Sequence, residues 1–405
     1  MAGGKLTEVP TEDGKLIDGV HMLFDADPVE VADKLFRQPC DFLEYHCMMI
    51  RGELLRDGNL LDPRINCVHE HLDTALSVKE LGYPIFFEAS SRVTYLAYDE
   101  YMLDDLPLFR HRWSGEAADA SIDTFCRKWG VVNDDRSFGG ARHFLVSHRA
   151  EVDPIRALPA PPADRLLPMR REELMQTRSD LLDLAIARGY DQQELAWIAN
   201  CYHIALVLTD GGYRPCGRPF INHLAGTASV LIRYDFRTEV VGAGLLHAAY
   251  THGPSHEAGP KATLDLLCAA LGGEGSGLEK RVRAYTKRGA GGGALASPHA
   301  SSSTISVADA EVIAITAANE VDMHLSGEFR YSGRQDGLQP PVTEQIARAC
   351  RILGVDGLAE TLAAAQREQT AVMPEFLTGI PFSYRVSPDK QSAVRIASNA
   401  VFALE

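Results

Sequence analysis

No CxxC pair occurs among the eight cysteines, and acidic side chains outnumber basic ones, 55 to 40. No apolar run approaches the roughly 18–20 residues that cross a bilayer. Each shortage excludes something. Thiols scattered at Cys40, Cys47, Cys67, Cys126, Cys201, Cys216, Cys268 and Cys350 resemble neither a zinc knuckle nor a disulfide framework, which predicts reduced cysteines in a cytoplasmic protein. The opening "MAGGKLTEVPTEDGKLIDG" has no apolar core of a leader, so no export is expected. A net charge of −15 argues against a nucleic-acid or anionic-membrane surface, since both call for a basic footprint. Small molecules, or other proteins, are the expected partners. Several catalytic signatures are missing as well: there is no G-x-S-x-G, no GxGxxG after a strand and no HExxH, and His69-Glu70-His71 has the wrong spacing for the last.

What is present is an ordinary globular composition, 45% hydrophobic and 23% charged. A chain of 405 residues is too long for one core and predicts two or three domains. The clearest seam is "RALPAPPADRLLPMRR", 156–171, where four prolines between 159 and 168 rule out a helix or a central strand and predict a linker. Before it the chain is mixed. "DADPVEVADKLF" predicts a helix start with Asp27 as N-cap, Pro28 next and Glu30 closing a capping box. "TALSVKELGY" predicts a helix ended by Gly82, and "PIFFEASSRVTYLAY" one or two strands.

After the seam the period is helical over 172–188, 191–209, 218–233, 238–250, 260–271, 276–287, 306–325, 342–353 and 355–368, with Gly189, Gly211-Gly212 and Gly272-Gly273 between segments. "RGAGGGALASPHASSST", 288–304, has no strand before it and no GK[ST] after it, and reads as a loop rather than a phosphate cradle.

The stretch 42–96, from "FLEYHCMMIRGELL" through "HEHLD" to "FEASSRVTYL", and "DLPLFRHRWSGEAADASIDTFCRKWGV", 105–131, resemble the acceptor half of family-2 glycosyltransferases of the GT-A type. In such enzymes a carboxylate takes the proton from the acceptor hydroxyl. The resemblance makes Glu70 and Asp73 the candidate bases, with His71 standing where the family has an acidic residue. Read from the residues alone, both carboxylates also suit the positive end of a helix. The nucleotide-binding half of the family is not recognised upstream, and "DAD" at 25–27 fits a capping box better than a metal-holding DxD. Any sugar transfer is therefore expected to be incomplete in this chain alone, or to call on a donor-binding partner or a second copy of the chain.

"GRPFINHLAGTASVLIRYDFRTEVVGAGLLHAAY", 217–250, resembles the HD superfamily, nearest to the hydrolase domain of stringent-response enzymes. By position His223 and His247 match the first two ligands, Ala248 stands where the aspartate should be, and Asn319 in "AITAANEVDMHLSG" takes the place of the last aspartate. Hard divalent ions rely on anionic oxygens. No cofactor is therefore expected, beyond a weakly held zinc if another group such as His252 or His256 joined the imidazoles. Without a metal-activated water the hydrolytic nucleophile is lost. Tyr213, Arg214, Arg218, His223, His247, Tyr250 and Asn319 are the candidate ligand-lining residues, and "YRPCGRP" is either an anion-meeting segment or a surface turn. Trp113, Trp129 and Trp197 read as core anchors.

The expected architecture is thus a partial GT-A-like α/β segment over 1–155, the linker 156–171, a mainly α-helical HD-like domain over 172–370 and an extension over 371–405. The expected function is that of a glycosyltransferase-related protein carrying a metal-degenerate HD-like domain. The alternatives are a non-catalytic pseudo-hydrolase that binds a small anionic or sugar ligand, and a surviving metal-dependent phosphohydrolase.

Overall fold

The computed structural model describes residues 3–23, 26–56, 60–93, 101–158, 161–252, 265, 267, 275–289, 305–332, 340–368 and 383–385. The protein is mostly helical, with small sheets of two strands each. It divides into two compact units, Met1–Asp99 with Pro107–Val152, and Glu100–Leu106 with Asp153–Glu405.

Unit 1 begins with a hairpin absent from the sequence expectation. Strands β1 (Gly4–Thr11) and β2 (Gly14–His21) pair antiparallel, Gly4 facing His21 and Thr11 facing Gly14. The turn closes through Gly14, whose φ of 148° is costly for any side chain bearing a Cβ. The hairpin is held by Phe42, whose ring lies so close to Gly4 that an added Cβ would sit inside it. The expected helix at Asp27 does not form. Its carboxylate instead accepts from the Val29 amide at 2.7 Å, a local turn that competes with helix, and a single 3-10 turn, Ala32–Lys34, follows.

Strands β3 (Gln38–Cys40) and β4 (Ile85–Phe87) make the second sheet; of the rest of the expected strand region, residues 88–93 form no strand and 94–98 lie outside the described residues. The helices of unit 1 are α1 (Gly52–Arg56), α2 (Glu70–Glu80), α3 (Leu106–Arg112, entering from unit 2), α4 (Gly115–Trp129) and α5 (Asp135–Val152). Ser114 caps α4 by accepting from the Ala117 amide, and Gly130 ends it in the left-handed region. Ile17, Phe42, Leu72, Leu76, Ile122, Phe125 and Phe138 form the core.

Unit 2 is helical: α6 (Arg178–Ala187), α7 (Gln192–Leu208), α8 (Phe220–Arg233), α9 (Thr238–Leu246), α10 (Ala249–His252), α11 (Gly275–Gly289), α12 (Val307–Leu325), α13 (Glu328–Ser332), α14 (Pro340–Leu353) and α15 (Asp356–Glu368). The start of α7 carries a capping box, Asp191 with Glu194, and that of α12 another, Ser306 with Asp309. Helices α8 and α12 pack on each other at the centre, with α9 against α7, α8 and α11. From His223 to Arg233 every residue of α8 is buried, so this helix is core on all sides.

The proline-rich stretch lies on unit 2. The Met169 amide donates to Thr361 Oγ1 at 2.6 Å, and the Tyr234 hydroxyl to the Leu167 carbonyl at 3.2 Å. Of the expected extension, Tyr384–Arg385 is strand β6, paired with β5 (Gly212–Tyr213). Among the described residues no helix is long and apolar enough to cross a membrane.

Candidate functional site

The buried polar centre of unit 2 forms where α8 and α12 touch. Their approach is set by Gly226, where a Cβ would stand 1.7 Å from Asp322 Oδ1. This contact brings Asp322 under His223, whose Nδ1 is 2.6 Å from Asp322 Oδ2. Arg218 closes the other side with a two-pronged grip, Nη1 to Oδ2 and Nη2 to Oδ1, both 2.9 Å. Asp322 and His223 are both fully buried. Burial pushes the Asp322 carboxyl up, against the pull of Arg218. Burial, helped by the positive charge of Arg214, holds His223 well below its ordinary value and therefore neutral. A neutral ring facing a carboxylate donates through Nδ1–H, which leaves Nε2 as an acceptor. That atom is buried and has no hydrogen-bond partner.

His247, at the end of α9, shows the same arrangement with a backbone partner. Its Nδ1 donates to the Gly244 carbonyl at 2.6 Å, and burial lowers its pKa to about 3. The two imidazoles meet edge to face with centroids 5.2 Å apart, and Tyr285 of α11 packs on His247 at 5.0 Å. Ala248 follows His247 and is buried. His252 packs on Phe220 at 4.7 Å; His256 lies outside the described residues.

The structure gathers some of the sequence-derived candidates and separates others. Arg218, His223 and His247 come together. Asn319 is largely buried and lies on the Asp322 face of α12, three residues earlier. Arg214 is committed to Glu328, with Nε to Oε2 at 2.8 Å and Nη2 to Oε1 at 2.5 Å. Tyr213 is in β5 and half-buried. Tyr250 turns instead to α11, where its hydroxyl donates to Glu279, beside Arg283.

In unit 1, Glu70 opens α2, is partly exposed and pairs with Arg112 at 2.9 Å. Asp73 is sealed, its Oδ1 accepting from Trp129 Nε1 and pairing with Lys128 Nζ, both at 2.7 Å. His71 faces Glu44 at 3.4 Å, and His21 meets the same carboxylate oxygen at 2.6 Å. His69 takes the left-handed conformation just before α2 and packs on Phe125 and Phe138. Burial holds its pKa down, to about 4.

Sequence reasoning missed Asp322, Glu328, Tyr285 and Gly226. A signal existed for the first: an aspartate within a helix as apolar as α12 is buried only with a partner. The donor set does not fit a hydrolytic divalent ion, because the carboxylate beside His223 is already spent on Arg218. Among the described residues no group of three or more His, Cys, Asp or Glu side chains is arranged to hold a metal. Compared with family models and with curated proteins, the chain matches none.

Proposed function

We propose that unit 1 is a glycosyltransferase-related segment and unit 2 a metal-degenerate HD-like domain, and that unit 2 works as a small-molecule-binding module rather than a phosphohydrolase. The observation that carries this reading is Arg218 on Asp322. A hydrolytic ion draws on anionic oxygens that are free to face it. Here a guanidinium supplies fixed positive charge to the carboxylate instead. Ala248 offers a methyl group and Asn319 a neutral amide.

The imidazoles keep the anchored orientation of ligand-facing histidines, each with Nδ1 tied to an acceptor. The unpartnered Nε2 of His223 supports an occupant that brings a donor hydrogen, since a lone pair left buried and unmatched is costly. In unit 1 the support is the order of the segments across 42–131. With Asp73 sealed by Trp129 and Lys128, Glu70 is the carboxylate better placed to meet a hydroxyl from outside.

Elemental analysis of the tag-free protein after mild dialysis tests the reading. Well under one metal per chain is expected, with no change in a His223→Ala, His247→Ala double variant. Close to one zinc, manganese or iron per chain, lost in that variant, would put phosphohydrolase chemistry first.

A further inference from the structure

The arginines that the sequence offers to an anion, Arg214 and Arg218, are both closed on internal carboxylates. Positive charge left over for a ligand lies elsewhere, on the outer face of α11. Lys280, Arg283, Ala284 and Lys287, with Glu279, line an open groove of about 460 Å³. Their spacing puts them on one stripe of the helix, while Leu278 and Val282 are buried on the inward side, where Tyr285 packs on His247. Glu279 is buried and already matched, by Arg283 at 2.7 Å and by the Tyr250 hydroxyl. Lys280 and Lys287 are exposed and form no ion pair among the described residues. With Arg283 taken up by Glu279, the two lysines give the groove a positive surplus of two in a chain whose net charge is −15.

We propose that this groove binds an elongated polyanion of small-molecule size, of which a triphosphate chain is the simplest. At 1.5 Å of rise per residue, Lys280 and Lys287 stand roughly 10 Å apart along the axis, with Arg283 between them. A compact anion is poorly matched to two ends this far apart, whereas a linear one spans both lysines and passes the Arg283–Glu279 pair between them. A long nucleic acid is disfavoured, because the acidic remainder of the chain repels a polymer extending beyond the groove. The site is separate from the buried imidazoles and goes beyond the reading given for them.

Titration calorimetry on the full chain with inorganic tripolyphosphate at low salt tests the proposal. Binding is expected, and it weakens steeply towards 0.15 M salt, where charges are screened beyond about 8 Å. A Lys280→Glu, Lys287→Glu double variant keeps its thermal unfolding, since both side chains are exposed, and loses at least about tenfold in affinity, equivalent to about 1.4 kcal/mol. The same double variant leaves the metal content of the dialysed protein unchanged, which keeps this outcome distinct from that of the metal analysis. ATP run alongside assigns the source: equal affinity points to the phosphate chain alone, tighter binding to a nucleotide, and both support the groove. The proposal is overturned if tripolyphosphate gives no binding at low salt, if orthophosphate binds as tightly, or if the double variant binds undiminished.

Discussion

In unit 2, carboxylates sunk in the core meet arginines: Asp322 with Arg218, Glu328 with Arg214, Asp235 with Arg188, and Glu311 with both Arg237 and Arg281. In unit 1 the charged groups around α2, apart from the sealed Asp73, stay partly wet, as with Glu70 on Arg112 and Glu44 between His21 and His71. The difference teaches where each unit stores its specificity. A buried pair is a weak source of net stability, but losing one partner costs several kcal/mol because a lone charge is stranded. A half-exposed pair contributes about 1 kcal/mol or less and is easily replaced. Unit 2 is therefore the brittle half at its polar centre, and unit 1 the tolerant one.

The sharpest break of that comparison is at glycines. Gly226→Ala should cost unit 2 about 3 kcal/mol or more, because the new Cβ collides with a carboxylate that cannot retreat. Gly115→Ala in α4 meets nothing within 4 Å and should change stability by less than about 0.5 kcal/mol. Denaturant unfolding followed at Trp197 for unit 2, and at Trp113 and Trp129 for unit 1, separates the two. Equal effects would dissolve the contrast.

Comparable in size is removal of a single charge. Arg218→Met should cost about 3–5 kcal/mol by stranding Asp322, and adding Asp322→Asn, which removes the charge and keeps an acceptor for His223, should recover much of the loss. Lys128→Met should cost less, about 1–2 kcal/mol, because Trp129 still donates to Asp73. A double variant in unit 2 no better than the single one would show that the pair is not the cause.

The last difference is expected from pH. His69 has a folded pKa of about 4 against an ordinary value of 6.5, so the unfolded chain binds the extra proton first. Its share of unit 1 stability is intact above about pH 6.5, declines as pH falls and levels off near pH 4. His247, lowered to about 3, extends the same decline in unit 2 by about another pH unit. The variant His69→Asn, which tolerates the left-handed conformation, should flatten the unit 1 profile between those limits. An unchanged slope would assign it to the carboxylates.

Much of unit 2 was legible because helical period and caps are local. The segments read at 191–209, 306–325 and 355–368 became Gln192–Leu208, Val307–Leu325 and Asp356–Glu368, whereas His223 and His247 were singled out by their positions in the HD-like resemblance. What joins them was not legible. Asp322 lies 99 residues from His223, and no local pattern reports a partnership closed by packing. The β1–β2 hairpin was missed for the opposite reason. Most of its residues are exposed, so it shows little apolar alternation; Glu12-Asp13-Gly14 was the available turn signal. At Asp27 the capping pattern was present, but the side chain satisfied the amide of a turn instead.

Gly226 has a consequence for how this chain can vary. A side chain there is compatible with the fold only if Asp322 shortens, and a shortened residue at 322 strands both Arg218 and the Nδ1–H of His223. Positions 218, 223, 226 and 322 therefore cannot drift one at a time. Each single step leads through a poorly folding intermediate, so the four are expected to be inherited, or exchanged, as a block.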